Sequence, residues 1–152
     1  MLGDERWFAW YAQAKMNARL MERLSDDMER AMGFPAAWFD VLANLAQKGP
    51  TRMNELADEL ILSRGGATRL IARMEEAGFV ARETPPHDRR ATFAVLTAKG
   101  QAALEKAVPI HLEMVEKGFS RHLEPGEAEA LLTIAARVCE AHGWPAKLPA
   151  DA

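Results

Sequence analysis

The residues best suited to chemistry in this 152-residue chain are arginines, and they are concentrated in two short clusters. A guanidinium is permanently charged and forms bidentate hydrogen bonds with phosphate or with N7 and O6 of guanine. Both clusters are therefore candidates for nucleic-acid contact. The first comprises Ser63, Arg64, Gly65, Thr68, Arg69 and Arg73, and the second comprises Asp88, Arg89 and Arg90.

The run SRGGATRLIARMEEAG, which carries the first cluster, predicts a helix with two distinct faces. Ser63 suits its N-cap and Gly78 its C-terminal stop. When residues are placed 100° apart, Arg69 lies opposite an apolar side and Arg73 lies on a flank. The arginines are then free to reach guanine in a major groove, and Thr68 can touch a thymine methyl or a phosphate. The apolar side comprises Ala67, Leu70, Ile71 and Met74.

The first turn of this helix contains two adjacent glycines, Gly65 and Gly66. Each costs roughly 1 kcal/mol against alanine inside a helix, so their presence needs a reason. Close approach of the first turn to a DNA backbone is one explanation, and its exposed N-terminal amides near Ser63 suit a phosphate. Fraying of the turn, or tight packing on a neighbour, is the alternative.

The second cluster follows two prolines in the run PPHDRR, between the extended runs FVARET and ATFAVLT. Pro85 and Pro86 lack an N–H for a strand ladder, which predicts a β-hairpin with a loop of about six residues. Arg89 and Arg90 on this tip suit phosphates or a minor groove. Asp88 is placed to hold one of them in position. A charged tip that is merely solvated is the alternative.

Helical spacing dominates the chain before these clusters. Apolar residues recur from Trp7 onward and predict one long helix over 4–32. Pro35 is expected to open a second helix at its first position. Thr51 is expected to cap a short third helix, which forms a helix-turn-helix pair with the helix over 63–78.

Two further helices are predicted after the hairpin. Thr97 is expected to cap a fifth helix that reaches past Met114, and Pro109 should kink it or split it. Pro125 is expected to open a last helix that closes at Gly143. The pattern predicts a mainly α fold with a small β-hairpin, organised as a single domain over 1–152.

The charge distribution favours a local contact over a general affinity for nucleic acid. The formal net charge is -3. Residues 61–90 contain six arginines and four acidic residues, a balance of 6 - 4 = +2, so the rest of the chain sums to -5. Bulk coating of nucleic acid requires many cations, which this acidic chain lacks. A modestly basic segment on an acidic body is typical of a local interface.

Other functional classes find little support in the sequence. There is no GxxxxGK[ST] or GxSxG motif, the four histidines form no HxxxH or HxxE cluster, and Cys139 is the single cysteine. We therefore predict no enzymatic activity, no metal and no cofactor. No run approaches the roughly 18 apolar residues of a membrane span, and the N-terminus lacks the order of a signal peptide. A cytoplasmic protein without a membrane partner is expected.

Four ordered motifs spread over the helix and the hairpin resemble the MarR family of bacterial transcriptional regulators. The likeness extends over about residues 5–143, and the hairpin motif with its spacing is fairly specific. The motifs are Ser63-Arg64-x-Gly66-x-Thr68-Arg69-Leu70, Glu76-x-Gly78-x-Val80, Asp88-x-Arg90 and Leu96-Thr97-x-x-Gly100.

The resemblance implies a winged helix-turn-helix lobe over 35–97, with 63–78 as recognition helix and PPHDRR as the wing tip. It also implies homodimerisation through the terminal helices, 4–32 and 98–143. The implied function is a sequence-specific, DNA-binding homodimeric repressor that binds a near-palindromic double-stranded operator and is released by a small molecule. A winged-helix module that binds an acidic protein through the same arginines is the alternative.

Many members of the family sense a small, often phenolic, effector in a cleft between the dimerisation helices and the DNA-binding lobe. By the same resemblance, four aromatic residues fall near that cleft. Aromatic residues at helical spacing also form cores, so a packing role is the alternative for each. The four are Trp10, Tyr11, Trp38 and Phe39.

Overall fold

The computed structural model describes residues 3–60, 62–84 and 91–144. These residues form two compact units whose boundary falls between Val115 and Glu116. The elements of the first unit are α1 (Glu5–Met32), α2 (Ala36–Lys48), β1 (Thr51–Arg52), α3 (Met53–Glu59), α4 (Arg64–Glu76), β2 (Val80–Glu83), β3 (Phe93–Leu96) and the greater part of α5 (Ala98–Gly118). The second unit contains the end of α5, a 3₁₀ turn (Ser120–His122) and α6 (Glu127–His142).

The long first helix is confirmed, and both of its ends have local causes. The Asp4 side chain accepts a hydrogen bond from the backbone N–H of Arg6 at 2.9 Å, which caps the N-terminus of α1. Gly33 ends the helix in the left-handed conformation, with φ of 74°. Pro35 differs from its prediction by one position. Its ψ of 158° is extended, so it is the N-cap of α2 and the helix begins at Ala36.

Thr51 was predicted to cap the third helix, and this is wrong. Thr51 lies in β1 opposite Ala94 of β3, and its hydroxyl donates to the carbonyl of Gly49 at 3.0 Å. The N-cap of α3 is Arg52, without a side-chain cap. Pairing with a strand some forty residues later therefore overrides the local capping preference of threonine.

The hairpin is confirmed, but β1 makes it part of a three-stranded antiparallel sheet in the order β1-β3-β2. Val80 of β2 lies opposite Leu96 of β3, and Glu83 lies opposite Phe93. In the core of the first unit, one face of each surrounding helix packs against this sheet. The fully buried large side chains of the core are Met28, Val41, Leu42, Leu45, Leu56, Ile71, Met74 and Val80.

The predicted helices after the hairpin are present. Of the two outcomes predicted for Pro109, the split is excluded, because α5 continues through this residue to Gly118. Leu104 and Ala107 before the proline are buried, and Ile110 after it packs against the same core, so packing holds both sides in one helix. The last helix begins at Glu127, two residues after Pro125. Its N-cap, Gly126, has φ of 87° and lies outside the helix.

Candidate nucleic-acid interface

The helix-turn-helix pair consists of α3 and α4, and the core fixes its orientation. Leu56 and Ala57 of α3 are fully buried. The Glu59 carboxylate at the end of α3 accepts a hydrogen bond from the Asn44 amide and forms an ion pair with Lys48. Both partners lie on α2, so α3 is held to α2 at its C-terminal end as well as through the core.

The face prediction for α4 is confirmed. Ala67, Ile71 and Met74 are buried, and Leu70 is half-buried against the core. The predicted DNA-contacting residues of α4 all lie on the solvent side of the helix. The exposed set is Ser63, Arg64, Gly65, Thr68, Arg69 and Arg73.

Ser63 caps α4 as predicted. Its Oγ accepts a hydrogen bond from the backbone N–H of Gly66 at 3.1 Å. The hydroxyl of Thr68 donates to the carbonyl of Arg64 at 2.8 Å. Because that proton is already used within the helix, Thr68 in this rotamer can offer a DNA surface its methyl group and an acceptor, and no free donor.

The two glycines of α4 have different surroundings. A Cβ on Gly65 would meet nothing within 4 Å, whereas a Cβ on Gly66 would lie 3.1 Å from the capping Oγ of Ser63. A side chain at position 66 would crowd the capping hydroxyl, which explains the glycine there. No atom of the described chain requires glycine at position 65. Close approach of an external surface and fraying of the first turn therefore remain the two explanations for Gly65.

The wing strands lie beside α4, and their connecting tip lies outside the described residues. The predicted roles of Asp88, Arg89 and Arg90 belong to that tip and stay predictions. The start of β2 and the start of α5 are both described. Thr97, the cap of α5, and Lys99 in its first turn join the chain just before β2 to the start of α5.

Thr97 caps α5 as predicted, since its Oγ1 accepts from the backbone N–H of Gly100 at 3.0 Å. The same oxygen lies 2.8 Å from the carbonyl oxygen of Gly78 and 3.0 Å from that of Phe79, and its proton can be donated to either. Lys99 Nζ donates to the carbonyl of Ala77 at 2.6 Å and lies 4.8 Å from the centroid of the Phe79 ring. These contacts attach the C-terminal end of α4 to the first turn of α5, which the sequence did not reveal.

The four aromatic residues predicted for an effector cleft occupy different environments. Trp38 and Phe39 are buried in the core, where Trp38 packs against Phe34 and Phe79 at centroid distances of 6.0 and 5.4 Å. Trp10 and Tyr11 are exposed on the N-terminal half of α1. The effector role of the four stays a prediction, and for Trp38 and Phe39 the structure shows packing.

A polar cluster beside Phe39 was missed by the sequence. The imidazole of His111, on α5, stacks on Phe39 with centroids 4.1 Å apart. Its buried Nδ1 has no hydrogen-bond partner among the described residues. Desolvation lowers the pKa of His111, and the nearby negative charge of Asp40 opposes this shift. Although Asp40 as a residue is exposed, desolvation of its carboxyl raises its pKa, opposed by the charge of His111.

Among the described residues, no group of three or more histidine, cysteine, aspartate or glutamate side chains is arranged to hold a metal ion. None of the helices in the described ranges has both the length and the apolar character needed to cross a membrane.

Comparison with known proteins assigns this arrangement to a family. The sequence profile of the MarR family matches residues 32–91, from the end of α1 to the residue that follows the wing tip. The HTH-type transcriptional regulator YkoM of Bacillus subtilis is 36% identical over 102 residues, which cover 67% of this chain and 66% of that protein.

Solved structures agree over a larger share of the chain. The MarR family transcriptional regulator AbsC of Streptomyces coelicolor superposes with a TM-score of 0.85 at 30% identity, over 93% of this chain and 96% of that one. Sco3205, a MarR family transcriptional regulator of the same organism whose crystal structure is a complex with DNA, also gives a TM-score of 0.85, at 29% identity over 90% and 87% of the two chains. The protein belongs to the MarR family of transcriptional regulators.

Proposed function

We propose that this protein is a sequence-specific DNA-binding repressor that acts as a homodimer. The observation that carries the proposal is the division of α4, whose apolar face is held in the core while Arg64, Thr68, Arg69 and Arg73 are exposed on the other side. Sco3205, whose chain superposes on this one, is known in complex with DNA. In this reading Arg69 and Arg73 contact base edges or phosphates in a major groove.

Exposed apolar surface supports the homodimer. None of the side chains of α6 is buried within the described chain, and Leu131, Ile134 and Val138 recur on one side at helical spacing. On α1, Phe8, Trp10, Tyr11, Met16 and Met21 are also exposed. An exposed apolar stripe such as the one on α6 is typical of a protein interface. Two copies would present two recognition helices to half-sites roughly 10 bp apart, or a multiple of that turn, on a near-palindromic operator.

The direct test is fluorescence anisotropy with DNA that flanks the protein's own gene, titrated at several salt concentrations beside a scrambled duplex. We expect specific binding whose logarithmic salt dependence has a slope of about -0.9 for each phosphate neutralised. Equal affinity for both duplexes would refute sequence-specific regulation. Sedimentation at micromolar concentration tests the dimer, because a monomer would exclude the two-half-site geometry.

Release by a small aromatic or phenolic effector is the regulatory part of the proposal. An effector changes DNA occupancy only if it binds the DNA-competent and DNA-incompetent dimers with different affinities. We therefore expect a true effector to weaken operator binding and, reciprocally, to bind less tightly when operator is present. A compound that binds with the same affinity in both conditions is not an effector.

A further inference from the structure

The C-terminal part of α4 and the edge strand β2 are joined by one ion pair and two hydrogen bonds between Glu75 and Arg82. Glu75 Oε2 accepts from Arg82 Nε at 2.7 Å and lies 2.6 Å from Arg82 Nη2. Glu75 Oε1 accepts from the backbone N–H of Arg82 at 3.1 Å. A single carboxylate thus holds both the side chain and the main chain of one wing residue.

The main-chain contact has a clear structural meaning. β2 pairs with β3 on one side only, so alternate N–H groups along its other edge have no strand to bond. The N–H of Arg82 is one of these, and Glu75 supplies its acceptor. The carboxylate therefore takes the place of a neighbouring strand at the point where β2 leads toward the wing tip.

The position of Glu75 on α4 links this contact to the DNA-binding surface. Glu75 follows Thr68 by seven residues, which places the two on the same side of the helix. Arg82 precedes the tip that carries Arg89 and Arg90. The pair therefore joins the helix proposed to enter the major groove to the strand that precedes the second arginine cluster in the sequence.

We propose that Glu75 and Arg82 are positioning residues for DNA binding, which fix the wing relative to the recognition helix before DNA arrives. This rests on the proposed function above. A preorganised wing loses less conformational freedom on binding, so the pair raises DNA affinity without contacting DNA. The guanidinium and carboxylate are both partly exposed, at 40% and 34% of their side-chain surface, so their value lies in geometry more than in bulk charge attraction.

The substitution Glu75→Gln separates this proposal from a simple charge effect, because the two predict opposite changes in DNA affinity. Removal of a negative charge near DNA should tighten binding if charge alone matters. Loss of the wing's anchor should weaken it. Glu76→Gln is the matched control. Glu76 is the neighbouring residue on the same helix and is exposed, and its substitution removes the same charge.

The experiment measures operator affinity for the wild type, Glu75→Gln, Arg82→Gln, the double variant and Glu76→Gln. We expect Glu75→Gln and Arg82→Gln each to bind the operator roughly fivefold to tenfold more weakly than the wild type. The double variant should bind no more weakly than either single variant, because both substitutions break the same network. The salt slope should be unchanged. Glu75→Gln binding as tightly as Glu76→Gln, or a loss of about one unit of slope in Arg82→Gln, would overturn the proposal, and the latter would make Arg82 a phosphate contact.

Amide hydrogen exchange in the DNA-free protein separates this proposal from the proposed function. We expect Glu75→Gln to speed exchange at the Arg82 amide and at Glu83, with Glu76→Gln matching the wild type. Unchanged exchange in Glu75→Gln would show that the Glu75–Arg82 pair does not hold the wing, whether or not the protein binds DNA. If the wild type shows no specific DNA binding, the proposed function is wrong, and so is the role of the pair in DNA binding. The exchange data would still decide whether the Glu75–Arg82 pair fixes the wing.

Discussion

Gly100, in the first turn of α5, is the position where a single methyl group should do most damage. A Cβ built there lies 2.1 Å from the carbonyl oxygen of Phe79 and 2.8 Å from Leu96 Cδ1. The 2.1 Å contact is to backbone, so no side-chain rotation relieves it. That carbonyl oxygen also accepts from the backbone N–H of Thr97 at 3.2 Å. Relief of the clash must move the chain at Phe79 away from α5 and weaken this bond.

The magnitude follows from three opposing effects. Replacing glycine by alanine within a helix contributes about 1 kcal/mol of stability. Overpacking a filled site costs about 1 to 3 kcal/mol, occasionally more. A weakened hydrogen bond at Phe79 costs about 1 kcal/mol. We therefore expect Gly100→Ala to lower the free energy of unfolding by about 1 to 3 kcal/mol, which lowers Tm by roughly 3 to 10 °C for a chain of this size.

Gly65→Ala is the matched control, since it makes the same chemical change in the first turn of another helix. A Cβ at Gly65 meets nothing within 4 Å, so only the helix-propensity gain of up to about 1 kcal/mol remains. Urea unfolding followed by circular dichroism, at equal protomer concentration, measures both variants. Gly100→Ala as stable as the wild type, or a shift of the same sign in both variants, would refute the reasoning.

Four further outcomes are expected. Arg69→Ala should weaken specific operator binding by about 1 to 3 kcal/mol and relax base preference, and equal loss on random DNA would make Arg69 a phosphate contact. Gly65→Ala, although more stable, should weaken DNA binding in the same anisotropy assay; unchanged affinity would remove close backbone approach as the reason for this glycine. Thr97→Val should lower the free energy of unfolding by about 1 to 3 kcal/mol, because the cap and the bond to the end of α4 are both lost; an unchanged thermal midpoint would argue against that bond. Desolvation lowers the pKa of His111 below its usual 6.5, so as the pH falls the unfolded chain binds this proton before the folded chain does. The free energy of unfolding should therefore fall as the pH drops below about 6.5. Between about pH 7.5 and about pH 5.5, His111→Phe should lose less of this free energy than the wild type.

The sequence predicted those parts of the fold whose cause lies within one turn of the chain. Ser63 and Thr97 cap the helices that follow them, because a hydroxyl followed three residues later by a helical N–H is a local signal. Thr51 carries the same local signal and was misassigned, since its partner is β3. A strand of two residues, β1, is also too short to show an alternating pattern.

The candidate site divides in the same way. The outward position of Arg69 follows from helical periodicity alone, and burial of the opposite face confirms it. The pairing of Glu75 with Arg82 depends on how β2 lies against α4, and a sequence shows only two charges of opposite sign. The aromatic residues show a different failure. Hydrophobicity does not distinguish a side chain that lines a cleft from one that fills a core, and Trp38 fills the core.

The attachments at the two ends of β2 bear on how regulation can reach DNA in this protein. Just before β2 begins, the carbonyl of Phe79 lies against Thr97, the cap of α5, and against Gly100, where there is no room for an added methyl group. Three residues after Phe79, Arg82 is held by Glu75 of α4. Filled contacts of this kind transmit displacement, because they cannot be compressed without large cost. We therefore expect a movement of the first turn of α5 to displace the C-terminal end of α4 and the start of β2 together, so an effector that alters α5 would act on both elements proposed to bind DNA.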